Sequence, residues 1–251
     1  MAVSFVQLTD THLVGDPQGA MRGVVTRDAL QRVLAHAASD IASSDAILLT
    51  GDLVHDDADG YAAIAELLGG LGKPVLCLPG NHDDPLLMRE TLPSPPFDYC
   101  PVRRFGAWQV VLLDSVIPGE AGGRLSATEL ERLEAALKTA PDTPTLIALH
   151  HHPIATGSVW LEPIGLENAA EFFDVISNQA QVKAVVWGHV HQSQHTIRGP
   201  LQLIGTPSTC VQFRAQSEDF ALDTLPPAYR VLTLFDDGRL ETRLQHLPSA
   251  Q

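Results

Sequence analysis

Short apolar, largely β-branched runs alternate along most of this chain with segments whose apolar residues recur every three or four positions, and that alternation limits the fold more than any other feature. The runs are "VSFVQL" (3–8), "AILL" (46–49), "PVLCL" (74–78), "WQVVLL" (108–113), "TLIAL" (145–149) and "VKAVVW" (182–187). Near-continuous apolar character over so few residues is the mark of a buried strand. Between the runs lie helical spacings: Leu30, Val33, Leu34, Ala37 and Ile41; Tyr61, Ile64, Ala65 and Leu68; Leu130, Leu133 and Leu137. Ser126 followed by Glu129 carries a capping-box signature at the start of the last helix. Strands and helices in this order predict a layered α/β domain.

Residues 94–106 hold Pro95, Pro96, Pro101 and Gly106, which predicts a loop or edge hairpin crossing between two halves of the sheet system. From Arg198 onward the helical period is lost. The segments "TIRGPLQLIGTP", "YRVLTLF" and "GRLETRLQHL" read as hairpin strands around Gly-Pro and Asp-Gly turns, with 214–228 as a loop between them. The chain is therefore expected to divide into a main domain, 1–205, and a C-terminal extension, 206–251, packed on it.

No apolar run approaches the ~20 residues of a membrane span, and "MAVSFVQLTD" passes straight into a strand without a basic leader. A cytoplasmic location is expected. Cys77, Cys100 and Cys210 are too few and too scattered for a disulfide framework or a thiolate zinc site. A formal charge of −14 with 16 Lys and Arg in 251 residues opposes a nucleic-acid or anionic-membrane partner. A small anionic substrate remains open, provided bound metal ions supply the local positive charge.

Five of the strands end in metal-ligand chemistry. Asp10 and His12 follow the first, Asp52 the second, Asn81, His82 and Asp83 the third, His150, His151 and His152 the fifth, and His189 and His191 the sixth. In an extended segment residues i and i+2 project to the same side, so His189 and His191 can converge on one point. Open α/β sheets bind ligands beyond the carboxyl ends of their strands. D-x-H and G-D are common by chance, G-N-H-D is more specific, and G-H-x-H more so; all five, each after an apolar run, can line one site.

In this series, "DTH" (10–12), "GD" (51–52), "GNHD" (80–83), "HHHP" (150–153) and "GHVH" (188–191), the chain resembles the calcineurin-like metallophosphoesterase superfamily over roughly residues 3–205. The segments "LHHHPIATGSVWL" (149–161), "GHVHQ" (188–192), "TPSTCVQF" (206–213) and "FALDTLPPAYR" (220–230) are similar to the bacterial class III cyclic-nucleotide phosphodiesterases. The resemblance implies a four-layer α/β/β/α sandwich with a small C-terminal β-hairpin extension. It implies one ion held by Asp10, His12, Asp52 and His191, and a second held by Asp52, Asn81, His150 and His189. Asp52 and a hydroxide would bridge them, and donors of carboxylate, imidazole and amide type suit Fe, Mn or Zn. His150 keeps the family spacing to Pro153, with His151 as the alternative.

The activity implied is hydrolysis of 3',5'-cyclic AMP, and of cyclic GMP more weakly, by the metal-bound hydroxide, in a monomer or homodimer. Two divalent ions with Asp10 and Asp52 leave roughly two positive charges, which a hydroxide and a phosphodiester monoanion neutralise. His82 would bond a phosphoryl oxygen or protonate the leaving alkoxide, oriented by Asp83, or else support Asn81. Substrate contacts are expected from His82, Asn81, His191, His151 and Thr206, with Ser208, Thr209, Arg22, Arg124 and Arg214 as further candidates. His55, Asp56 and Asp57 could approach the mouth of the site, although a solvated acidic loop is the preferred reading, and His36, His195 and His246 read as surface residues. The rivals are a phosphodiesterase for glycerophosphodiesters or 2',3'-cyclic nucleotides, and a scaffold on the same fold, which the intact ligand set opposes.

Overall fold

The computed structural model of the chain describes residues 2–248. The first half runs through β1 (Ala2–Leu8), a small hairpin of β2 (Ala20–Met21) and β3 (Val24–Val25), α1 (Thr26–His36), α2 (Ala38–Ser43), β4 (Ala46–Thr50), α3 (Gly60–Gly69), β5 (Val75–Leu78), α4 (Pro85–Thr91) and β6 (Phe97–Tyr99). The second half comprises β7 (Val102–Phe105), β8 (Trp108–Leu112), α5 (Ala127–Thr139), β9 (Thr145–Ala148), α6 (Ala169–Ile176), β10 (Val182–Trp187), β11 (Gln194–Arg198) and β12 (Leu201–Gly205). The chain then returns to the first half with β13 (Ala228–Phe235) and β14 (Leu240–His246).

Two six-stranded sheets result, ordered β14-β13-β1-β4-β5-β6 and β11-β12-β10-β9-β8-β7. Alternate residues of each buried strand go to opposite faces, and the apolar clusters follow that period. Phe5, Leu48, Leu76, Trp108, Val110, Leu146, Val186 and Leu232 pack between the sheets. Val6, Leu8, Ile47, Leu49 and Val75 face the other way, onto Leu30, Val33, Ile64 and Leu68 of the helices. Val111, Ile147 and Val185 pack likewise against Leu133, Leu137, Phe172 and Ile176. Three apolar layers thus separate four structural ones, giving the α/β/β/α sandwich.

The structure sharpens several expectations. The stripe from Leu30 to Ile41 is two helices, parted at Ala37. The Ala37 N–H bonds to Val33 O at 2.8 Å and the Ile41 N–H to Ala37 O at 2.8 Å, so the apolar face stays in phase across the break. Half of the capping box forms: Ser126 Oγ accepts from the Glu129 N–H at 3.1 Å. The Glu129 carboxylate turns instead to the Asp114 N–H and to Arg132. Residues 94–106 do cross between the halves, but not as a hairpin: β6 pairs in parallel with β5, and β7 pairs antiparallel with β8 in the other sheet.

At the C-terminus β13 pairs antiparallel with β1 from Ala2↔Phe235 to Gln7↔Arg230, and β14 pairs with β13. Residues 228–246 therefore complete the first sheet, and 206–227 run as an irregular segment between the two sheets' strand ends. Among the described residues no helix is long and apolar enough to cross a membrane.

Candidate metal centre

The carboxyl ends of β1, β4, β5, β9 and β10 open onto one region. Asp10, His12, Asp52, His150, His189 and His191 are all buried there, with relative exposures between 0 and 6%. Their ligand atoms fall into two groups, Asp10 with His12 and His191, and Asp52 with His150 and His189; within each the atoms lie within 4.8 Å of one another. The groups abut, because His12 Nε2 is 3.8 Å from Asp52 Oδ2. Asn81 joins the second group, its Oδ1 3.0 Å from His189 Nδ1.

The backbone that presents these residues is strained. Asp10, His12, Asp52, His189 and His191 have φ of 53°, 47°, 50°, 66° and 48°, a left-handed region that costs a non-glycine residue of order 1–3 kcal/mol. Bonds between the strand ends hold it: Asp10 N–H to Gly51 O and His12 N–H to Asp52 O, both 3.0 Å, and His189 N–H to Asp10 Oδ1, also 3.0 Å. Of the motif glycines, Gly51 also takes a left-handed φ of 92°, but Gly188 and Gly80 serve a different end. A Cβ on Gly188 would stand 2.0 Å from Thr9 Oγ1, and one on Gly80 would stand 2.4 Å from Asp52 N. They let two strand ends touch, while the ligand residues themselves take the turn.

Hydrogen bonding fixes the imidazoles for cation binding. His150 Nδ1 donates to Thr50 O at 2.9 Å and His191 Nδ1 to Val211 O at 2.7 Å, since a carbonyl can only accept. Nε2 of each ring then faces a carboxylate, His150 to Asp52 at 3.3 Å and His191 to Asp10 at 3.2 Å. His12 Nε2 lies 3.1 Å from His191 Nε2. Acceptors set so close to acceptors need a proton or a metal ion between them. Burial works against charge on His150, yet Asp52 overrides it and pushes the ring up to about 9. Burial would likewise raise Asp52, but His150 holds its carboxyl well below the usual range. Burial first, and then neighbouring imidazoles, push His12, His151 and His189 down, so they stay neutral with lone pairs to offer. His189 Nε2 and His150 Nε2 have no hydrogen-bond partner among the described residues. The donor set fits two borderline or hard cations.

A family model described as calcineurin-like phosphoesterase matches residues 3–193. The chain belongs to the calcineurin-like phosphoesterases. Curated relatives align over nearly its whole length. A "3',5'-cyclic adenosine monophosphate phosphodiesterase CpdA" of Pseudomonas aeruginosa is 40% identical over 98% of this chain and 90% of its own. The protein of the same name from Vibrio vulnificus is 39% identical over 99% and 91%. A "3',5'-cyclic-nucleotide phosphodiesterase" of Nostoc is 35% identical over 99% and 94%. Among solved structures, a dimetal phosphatase from Danio rerio superposes with a TM-score of 0.65 at 15% identity, covering 98% of this chain and 99% of that one. A purple acid phosphatase from yellow lupin gives 0.70 at 14% identity, over 100% and 52%. These two show the fold.

In this phosphoesterase a cavity of about 210 Å³ lies at the ligands, and its lining includes Asp52, Asn81 and His82 together with Arg22, Trp160 and Phe220. Two sequence expectations need correcting here. Asp83 does not orient His82. Its carboxylate accepts the N–H groups of Gly80, Leu53 and Val54 at 2.8, 3.0 and 3.2 Å and the Tyr61 hydroxyl at 3.1 Å, and burial with the nearby Asp52 charge pushes it up to about 7. Asp56 holds His82 instead, Oδ2 to Nδ1 at 2.9 Å. Thr206 does not face the cavity: its hydroxyl donates to Gln7 at 2.7 Å and accepts from Arg230 at 2.9 Å, inside the sandwich. Ser208 and Thr209 bond to Asp10 O and Thr9 O, bracing the end of β1.

His151 belongs to neither ligand group. Its Nδ1 lies 2.8 Å from Ser115 Oγ, and its ring packs between His150 and His189. His152 stacks on His189. Arg124 pairs with Glu167 and Glu171 on the surface, and exposed Arg214 does not line the cavity. The phosphoesterase site also contains His55, whose Nδ1 is 3.1 Å from His12 Nδ1. Of the two readings the sequence allows for His55 and Asp56, a solvated loop or an approach to the mouth of the site, the structure takes the less favoured second, and their nearness to Asp52 in "GDLVHDD" is the signal for it.

Proposed function

We propose that the chain is a dinuclear-metal phosphodiesterase that hydrolyses 3',5'-cyclic AMP to 5'-AMP in the cytoplasm. The full-length likeness to proteins named for that reaction, at 35–40% identity and including the 206–230 segment, carries the reading. Asp10, His12, Asp52 and His191 would hold one ion, and Asp52, Asn81, His150 and His189 the other. Fe, Mn and Zn all suit such donors. When bound, two such ions lower the pKa of a water, polarise phosphoryl oxygens and align attack with departure.

The chain's own groups do the rest. Asp52 belongs to the second ligand group and reaches His12 of the first, which suits a shared carboxylate. Asp10 is fixed by the His189 N–H and Asp52 by the His82 N–H, so neither carboxylate reorganises as charge moves during the reaction. His82 lines the cavity with its side chain 28% exposed and Nδ1 committed to Asp56. Its Nε2 is the atom left to protonate O3' as the P–O3' bond breaks, with Asp56 stabilising the charged ring. The stack of Phe213 on His191, centroids 4.0 Å apart, limits water on that flank.

The test is to incubate the manganese-reconstituted protein with 3',5'-cyclic AMP, 2',3'-cyclic AMP and a glycerophosphodiester under identical conditions, with Asp52→Ala as control. 5'-AMP formation should lead in kcat/KM and vanish in the variant. Faster turnover of another diester by orders of magnitude would replace the substrate, and absence of turnover with every metal tried would refute the enzyme.

A further inference from the structure

One wall of the cavity is aromatic, and of it only Phe213, through its stack on His191, entered the chemistry above. Trp160, Phe213 and Phe220 meet there edge to face: Trp160 and Phe213 centroids are 5.3 Å apart with planes at 71°, Trp160 and Phe220 5.1 Å at 83°, and Phe213 and Phe220 5.2 Å at 71°. The Arg22 guanidinium sits 4.9 Å from the centre of Phe220. All four side chains line the same cavity as His12, Asn81 and His82. Other large aromatic side chains, such as Trp108, Trp187 and Phe172, are wholly buried, whereas Phe220 is 42% exposed.

This wall is pre-organised. Phe213 N–H donates to His191 O at 3.1 Å, which ties the wall to the ligand strand. Val159 N–H donates to Ser217 O at 2.9 Å, joining the two loops, and Arg214 N–H donates to Ala221 O at 2.8 Å, closing the 206–227 segment on itself. Aromatic side chains at fixed angles and a guanidinium over one ring suit a flat aromatic ligand. They do not suit glycerol or a short alkyl chain.

We infer that Trp160, Phe213, Phe220 and Arg22 form the nucleobase subsite, gripping the adenine while the cyclic phosphate lies at the ligand cluster. The inference rests on the proposed cyclic AMP reading and deepens it: the wall selects base-bearing diesters. Every nucleobase has a π-face, so stacking tolerates sequence. The subsite therefore predicts strong preference for cyclic nucleotides over base-free diesters and weak discrimination of adenine from guanine.

The experiment compares wild type, Phe220→Ala, Trp160→Leu and the conservative Phe220→Tyr on 3',5'-cyclic AMP and on the base-free analogue 1-deoxyribose 3',5'-cyclic phosphate. Phe213 is left intact because it stacks on His191. In Phe220→Ala and Trp160→Leu, kcat/KM for cyclic AMP should fall by about 10- to 100-fold, mostly through KM. That loss should exceed the loss on the base-free analogue at least fivefold, and Phe220→Tyr should restore most of it. Calorimetric affinity for 5'-AMP should weaken by a similar factor. Equal losses on both substrates, or losses within twofold on cyclic AMP, would overturn the subsite. If wild type itself prefers another diester, it is the cyclic AMP reading that fails, a result separable from the behaviour of the variants.

Discussion

Gly80 offers a sharp test of how the site is packed. A Cβ there would stand 2.3 Å from Asp52 Oδ1, 2.4 Å from Asp52 N and 2.7 Å from His150 Nε2. Ordinary Cβ contacts begin near 3.4 Å, so the methyl group of Gly80→Ala falls about 1 Å short against a backbone atom that cannot rotate away. A 1 Å displacement of reacting geometry is worth about 100-fold in rate, and overpacking of this kind destabilises by about 1–3 kcal/mol. Gly80→Ala should therefore lose metal, read by elemental analysis, lower kcat/KM at least 100-fold and lower Tm by several degrees. Gly70, at the end of α3 with φ −88° and nothing within 4 Å of where a methyl group would stand, is the control. Gly70→Ala should keep full activity and gain about 0.4–1 kcal/mol from the reduced freedom of the unfolded chain. If Gly80→Ala binds two ions and turns over within fivefold of wild type, the close-approach account of the motif glycines is wrong.

Three further outcomes follow from the geometry. Asp83→Ala strands the N–H groups of Leu53, Val54 and Gly80, at about 1–3 kcal/mol each before water fills in; urea unfolding should show a loss of at least about 3 kcal/mol, and Asp83→Asn a smaller one. His82→Ala should lower kcat by about 10²- to 10⁴-fold and Asp56→Ala by about tenfold, both with two ions retained, whereas loss of metal in either would make the residue a ligand support. Chelation should lower Tm, since a cation at a thousandfold excess over its Kd stabilises by about 4 kcal/mol per site, equivalent to about 8 °C or more for a chain of this size; manganese should restore both Tm and activity, and a Tm indifferent to chelator would refute an ion-organised site.

What could be read from the sequence divides along physical lines. The strand cores were legible because a strand buried on both faces leaves a local signature, as "AILL" and "VKAVVW" do. The ligand positions were legible because each follows such a run directly, so placing the strand places its end. The partner of His82 was not. Adjacency favours Asp83, but the Asp83 N–H bonds back to Gly80 O at 3.1 Å, and that turn swings the carboxylate onto the Gly80, Leu53 and Val54 amides. Asp56 reaches His82 from a different strand end, at a residue with φ 55°. Thr206 failed for a related reason: lying one residue past β12 says nothing about which way a side chain points, and pairing sends it inward to Gln7 and Arg230. Trp160, Phe213 and Phe220 sit in irregular segments with no period to read.

The strained residues show why the site as a whole lies beyond any local pattern. Asp and His tolerate left-handed φ better than most residues, so the residue types at 10, 12, 52, 189 and 191 permit the conformation without imposing it. What imposes it is long-range: the β1 end bonds to the β4 end at Asp10 and His12, and the β10 end bonds to Asp10 through the His189 amide, 179 residues away. The backbones of Asp10, His12 and His189 are thus each held by the end of another ligand-bearing strand. The first sheet contributes β1 and β4 and the second β10, so the two groups of ligands reach their geometry only once both sheets have formed and packed face to face.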